Sequence, residues 1–294
     1  MKNSKNILVL ILLTLSTSVA LAQQETAYLF YRQNMNLVNP AYAGLDGKTE
    51  VTSTLRRQWT GIANAPVTQA AFASTTLGSR IGVGMTLISD KTFVESQNYF
   101  SVDVSYRVQM NETANLYFGI KGGGNSYAVN TTGLQTYNIQ SDPSLESIST
   151  FNYNIGAGAV YVDGPLYISL SVPRFFNTKK AAIDQGKASL TTYNPNIFLS
   201  GGYDLPLNAS LVLKPSAMVR YVKGAPVSVD LTAMLQLEKN FEIGGMYKTD
   251  KAYAAMATIA VTKHFMFGFA YEMNTEAAMA KARNTNEFLI KVNF

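Results

Sequence analysis

Cysteine is absent from all 294 residues, which excludes disulfides, thiolate metal sites and a cysteine nucleophile. Histidine occurs once, as His264 beside Lys263 in a predicted turn. It reads as a solvated turn residue with no triad partner in view. The basic residues are scattered, so nothing argues for nucleic acid. Beyond residue 22 no apolar run approaches the ~20 residues of a membrane helix. Lys121-Gly122-Gly123-Gly124 lacks the Gly-Lys-Ser/Thr ending of a phosphate loop and sits in a predicted strand, so close packing or a bulge is expected there. Asn130-Thr131-Thr132 is a chance-frequency match to a glycosylation acceptor. No catalytic constellation, cofactor site or metal site is expected.

The N-terminus has a clear address. Lys2 and Lys5 precede the apolar run Ile7 to Leu15, and Ala20-Leu21-Ala22 forms a small-x-small cleavage site. Residues 1–22 are therefore expected to be a secretory signal peptide. Its removal leaves 272 residues and lowers the formal charge from +5 to +3.

Alternation dominates the remainder. Phe288, Ile290, Val292 and Phe294 share one face of a strand, opposite Glu287, Leu289, Lys291 and Asn293. Phe100 to Val108, Val227 to Leu237 and Phe265 to Met273 alternate in the same way. Strands that are apolar outward and polar inward, about 9–11 residues long, are the signature of a transmembrane β-barrel. Seventeen Tyr and fifteen Phe against one Trp suit aromatic girdles, and would also suit an all-β soluble core.

Fourteen candidate strands lie near 49–59, 66–77, 80–89, 98–109, 114–126, 151–162, 165–173, 193–205, 208–222, 227–238, 240–249, 252–262, 265–274 and 285–294. Short connections follow even-numbered strands, at Gly78-Ser79, 110–113, Asp163-Gly164, Pro206-Leu207, Lys239 and Lys263-His264. Long ones follow odd-numbered strands, at 127–150, 174–192 and 275–284, with 90–97 intermediate. An even strand number with short turns at one end and long loops at the other is the pattern of an outer-membrane barrel. The chain is thus predicted to be all-β: an antiparallel transmembrane barrel over 49–294, integral to the outer membrane and in contact with its lipid.

On this register the lumen receives Arg56, Arg107, Lys121, Lys214, Arg220, Lys248 and Lys291, against Glu50, Asp103, Asp204, Asp230, Glu238, Glu242, Glu272 and Glu287. Seven bases against eight acids favour cross-lumen bracing over ion selection. Residues 23–48 carry Tyr28, Phe30, Tyr31, Met35, Leu37, Val38 and Tyr42, too apolar for a solvated tail. They either plug the barrel or dock on a periplasmic partner. Pro215 removes a ladder donor and is expected to mark a bulge.

Asn39-Pro40-Ala41-Tyr42-Ala43-Gly44, followed by Arg56-x-Gln58-Trp59 with Gly61 and Pro66, resembles the start of the PorP/SprF family. The likeness continues through Ser171-Val172-Pro173, Gly202-Tyr203, Lys214-Pro215-Ser216, Val229-Asp230-Leu231, Gly244 to Lys248 and Gly268 to Glu272. The resemblance implies an outer-membrane component of the type IX secretion system, working with its other components. It implies export or surface attachment of a large adhesin with a type B C-terminal signal domain, and a link to gliding. It also marks Asn39, Pro40, Tyr42, Gly44, Arg56, Gln58, Trp59, Pro66 and Asp230 as plug, barrel-mouth or partner contacts. Pro fixes φ in the Asn39-Pro40 turn, and Gly44 allows a positive φ. Arg56 and Gln58 are expected to face the lumen, and Trp59 to sit at the outer end of the first strand, where an indole suits the interface. Fourteen-stranded barrels with an N-terminal hatch are also similar to long-chain fatty-acid channels. A channel for small hydrophobic or polar solutes is the alternative.

Overall fold

A computed structural model describes residues 27–131, 147–176, 178–184, 187–275 and 284–294. The expected signal peptide 1–22, most of loop 127–150 and most of 275–284 lie outside the described residues. The strands in chain order begin with β1 Glu50–Gln58, β2 Val67–Leu77, β3 Ile81–Thr92, β4 Glu95–Gln109, β5 Ala114–Val129 and β6 Ile148–Asp163. They continue with β7 Leu166–Val172, β8 Thr178–Asp184, β9 Lys187–Tyr193, β10 Asn196–Tyr203, β11 Leu205–Asn208 and β12 Leu211–Val222. The last are β13 Ser228–Leu237, β14 Phe241–Lys248, β15 Ala252–Ala260, β16 Phe265–Asn274 and β17 Asn284–Asn293.

Fourteen of these are the staves of a closed antiparallel barrel: β1–β7, β10 and β12–β17. β1 pairs with β17 from Glu50↔Asn293 to Gln58↔Thr285, and β10 pairs with β12 from Asn196↔Val222 to Gly202↔Ser216. Closure leaves no open edge, which the membrane interior requires of a β structure. β8 and β9 form a separate hairpin within the 174–192 connection.

The alternation is inverted relative to a soluble sheet. On β1, Glu50, Thr52, Thr54 and Arg56 are buried inward while Val51, Ser53 and Arg57 are exposed. On β4, Ser101, Asp103 and Ser105 are buried while Phe100, Val102, Val104 and Tyr106 are exposed. An apolar face turned outward on a closed barrel is the arrangement of transmembrane β-barrels. The aromatics are not confined to two belts, because Phe265, Phe267, Phe269 and Tyr271 run the height of β16, all exposed.

Several details depart from the pattern read in the sequence. β3 and β4 run on in register to Thr92↔Glu95, so the expected 90–97 connection shrinks to Phe93-Val94. β5 and β6 likewise extend to Val129↔Ile148, taking both ends of the 127–150 loop into the ladder. Pro206-Leu207 is not the turn. Both residues lie in β11, which continues the β10 register along β12. Lys239 belongs to a longer turn, in which Glu238 and Lys239 have φ of 51° and 63°. Glu238 is exposed there rather than facing the lumen.

Pro215 marks no bulge. It pairs with Ala233 in an unbroken β12–β13 register. On its other side the ladder has a gap, between Gly202↔Ser216 and Leu205↔Leu213. That is the simplest consequence of a missing N–H. The Gly122-Gly123-Gly124 run is also without a bulge, since the β4–β5 register is unbroken. Close packing explains two of the three instead: a Cβ on Gly124 would meet the Phe151 ring at 2.3 Å and one on Gly123 the Phe100 carbonyl at 2.2 Å, whereas one on Gly122 would meet nothing within 4 Å.

Candidate functional site

Before β1 the chain turns through Tyr31–Gln33, Met35–Val38 and Pro40–Tyr42 and enters the wall at Glu50. This inner segment is buried: Leu29, Phe30, Asn39, Ala41 and Ala43 are at most 1% exposed. Its side-chain partners on the wall are inward-facing residues, and it also reaches backbone carbonyls of the staves. Together with its apolar clusters these contacts draw on all fourteen staves, for instance Thr54 on β1, Phe72 on β2, Lys121 on β5, Ser169 on β7, Ser216 on β12 and Glu287 on β17.

Its first half meets side chains. The Glu287 carboxylate accepts from the Leu29 and Phe30 amides at 2.9 and 3.0 Å. Phe30, Tyr31 and Met35 then pack among Met218, Met234, Met246, Met256, Phe198 and Leu289, a wall from β10 through β17. Methionine side chains are unbranched and mold to irregular neighbours. Burial pushes the Tyr31 phenol up, so it stays protonated and donates to Ser216 Oγ at 2.7 Å.

The second half meets backbone. Asn39 caps the Pro40–Tyr42 turn, its Oδ1 accepting from the Ala41 amide at 2.9 Å. Its Nδ2 donates to Ser169 Oγ at 2.8 Å and toward the Ala159 and Leu170 carbonyls. Under the motif lie three inward-facing glycines from three staves. A Cβ on Gly158 would fall 2.1 Å from Asn39 Oδ1, one on Gly119 2.3 Å from the Ala41 nitrogen, and one on Gly82 1.9 Å from the Ala43 carbonyl. Gly44 has φ of +66°, and a Cβ there would meet the Thr75 carbonyl at 2.8 Å. Lys121 donates to the Asn36 and Leu37 carbonyls, both at 3.1 Å, and Ser105 to the Ala43 carbonyl at 2.6 Å.

Apart from half-buried Arg107, the inward bases are paired along the wall. Arg56 bridges Glu272 at 3.0 Å and Glu287 at 3.3 Å, and Lys248 joins the far side of Glu272 at 2.8 Å. Lys121 faces Asp103, Arg220 faces Asp230, Lys214 faces Glu242, and Lys291 faces Glu50. Arg32 of the inner segment pairs with Asp204 at 2.8 Å. Bracing is the use the structure makes of this balance. Among the described residues no group of three or more His, Cys, Asp or Glu could hold a metal ion.

The residues singled out in the sequence divide between two places. Asn39, Pro40, Tyr42 and Gly44 are in the inner segment, and Arg56 and Asp230 are buried on the wall around it. Gln58, Trp59 and Pro66 are at the rim on the long-loop end, where the Gln58 amide donates to the Pro66 carbonyl at 3.0 Å. Trp59 has already left β1, with φ of 51°. Gln58 and Trp59 line a rim cleft of about 410 Å³ with Arg57, Lys91 and Phe93. Glu287, Lys121 and the three floor glycines carry as much of the geometry and were not singled out. Their one signal in the sequence is inward parity, which gives a face but not a partner.

The barrel is similar to solved outer-membrane barrels. The toluene transporter TbuX of Ralstonia pickettii aligns with a TM-score of 0.55 at 10% identity, over 87% of this chain and 92% of its own. Omp33 of Acinetobacter baumannii aligns at 0.51 with 9% identity, over 84% and 98%. A FadL homologue of Pseudomonas aeruginosa aligns at 0.50 with 10% identity, over 87% and 92%. At such identities the likeness shows the fold alone. No curated protein matches the chain in sequence. The family model described as type IX secretion system membrane protein PorP/SprF matches residues 20–293.

Proposed function

Because the chain belongs to the PorP/SprF family of type IX secretion system membrane proteins, we propose that this outer-membrane barrel supports export or surface anchoring of a large adhesin carrying a C-terminal signal domain. Its role is non-enzymatic, its other partners are components of the same secretion system, and the adhesin link extends to gliding. The observation that carries this reading is the occupied lumen. A wall whose fourteen staves all meet the chain's own inner segment is better suited to a closed scaffold than to a conduit. The inner segment then acts as the plug, and recognition falls to the loops at the long-loop end, held on a rigid frame.

The alternative is a channel for small hydrophobic or polar solutes. The overall likeness to a toluene transporter and a FadL homologue favours it at the level of fold, and the packed lumen weighs against it. The deciding experiment compares surface proteomes of a deletion strain and its parent. Loss of one or a few large secreted proteins, with general secretion intact, supports the anchoring role. An unchanged surface with a defect in solute uptake would promote the channel.

A further inference from the structure

The outward faces of β1 and β3 stay uncharged over most of their height. Val51, Ser53 and Leu55 precede Arg57 on β1, and Ile81, Val83, Met85, Leu87 and Ser89 precede Lys91 on β3. The first outward charge on each strand falls in one paired row, Arg57↔Val67↔Lys91. Cations on the lipid face are costly at mid-depth and cheap at the interface, so this row marks the membrane boundary at the long-loop end. The two Cα positions are two strand spacings apart, about 10 Å, within reach of a single headgroup for these long side chains. Both residues are exposed, and neither has an ion pair among the described residues, whereas the buried bases of the lumen are paired.

A built cleft accompanies them. Trp59 and Phe93, with Ile62 and Ala65, give the cleft apolar walls. Trp59 and Phe93 both have φ of 51°, a region that bulky residues rarely occupy. The conformation is held by hydrogen bonds to the next connection and to the start of β17. The Phe93 amide donates to the Asn64 carbonyl at 3.1 Å, the Thr60 amide to the Asn284 carbonyl at 3.2 Å, and Asn286 Nδ2 to Thr60 Oγ1 at 3.1 Å.

We propose that this rim cleft binds the phosphate of a phosphorylated glycolipid in the outer leaflet, with Arg57 and Lys91 as its cations and Trp59 and Phe93 against the lipid body. Arginine matches phosphate through paired N–H donors, and an indole rests well at the headgroup level. A lipid is favoured over a secreted protein because Arg57 and Lys91 project sideways from the wall, in the same direction as the apolar band below them.

The test uses the full-length mature protein in detergent and counts retained lipid by native mass spectrometry. The probes are bis-phosphorylated lipid A, its dephosphorylated form and inorganic phosphate. The phosphorylated lipid should bind about tenfold or more tightly than the dephosphorylated one, the factor one charge-assisted hydrogen bond supplies. Arg57→Gln with Lys91→Gln should remove that preference, while Lys223→Gln, at an exposed lysine of the β12–β13 connection outside the cleft, should keep it. Because the double variant could fail to assemble, the charge-conserving pair Arg57→Lys with Lys91→Arg is run beside it and should retain the preference. Heat-modifiable migration on gels reports folding of each. Equal binding of both lipids by the unaltered protein, or a preference that survives in the folded double variant, would overturn the proposal. So would inorganic phosphate binding as tightly as lipid A, or cation-dependent capture of a secreted protein without any lipid preference.

Discussion

The two halves of the inner wall hold the same segment by opposite means. From β10 to β17 the wall is methionine, reaching Phe30 and Met35 with soft side chains. From β3 to β7 it is glycine and serine, and the Asn39–Gly44 backbone lies directly on the backbone of the staves. The first arrangement tolerates changes of shape, because a flexible side chain can repack. The second has no side chain to move, so added volume must displace the segment itself. The difference places the demand for specificity on one half of the barrel and leaves the other to supply apolar burial.

The largest effect should come where the methionine half borrows charge from β1. Arg56→Ala leaves Glu272 and Glu287 buried, with Glu272 keeping only Lys248. Breaking a buried pair in this way costs about 3–5 kcal/mol. The folded, heat-modifiable form should then be lost at a clearly lower temperature. An unchanged melting profile would show that the methionine wall holds the segment without its charges.

Next comes the floor. Gly158→Val should cost about 3 kcal/mol, the upper end for overpacking, because its side chain takes the place of Asn39. The segment should leave the lumen, and planar-bilayer recordings should change from little steady conductance to a stable open channel. A folded variant that stays closed would break the distinction between the halves.

Asn39→Ala should be milder, about 1–3 kcal/mol for the wall groups it leaves unsatisfied, and should appear as intermittent openings. Met234→Leu should be smallest, under about 1.5 kcal/mol for a volume-conserving swap, with conductance unchanged. If Met234→Leu opened the lumen as readily as Gly158→Val, the wall would be as exacting as the floor.

The barrel was legible in the sequence because a strand's face is a matter of parity. Fourteen alternating runs and loops sorted by length gave the closed architecture, and all fourteen staves lie where the runs were read. Parity also put Arg56, Lys121 and Glu287 inside. It could not pair them, since a partner lies on whichever stave the chain brings alongside. Glu287 meets Arg56 because the last strand closes on the first. The meaning of Asn39 to Gly44 was out of reach for the same reason. Its counterparts Gly82, Gly119 and Gly158 are spread over three strands, and in the sequence each is an ordinary glycine within a run. The hairpin of β8 and β9 went unread because it lies outside the barrel, where no lipid face imposes a pattern.

The bond between Leu29 and Glu287 spans 258 residues, and it sets an order of events. The inner segment leaves the ribosome and crosses into the periplasm long before the strand that clamps it. Until β17 arrives beside β1, Phe30 lacks Leu289 and the Glu287 carboxylate, and Glu287 has neither Arg56 nor the two amides it accepts from. Contacts this distant in sequence form late, after the entropy of closing the long loop has been met. Sealing the seam therefore completes the seating of the segment. A chain stalled before it shows both an unpaired strand edge and a greasy N-terminal stretch, two features that make an unfinished barrel prone to aggregate.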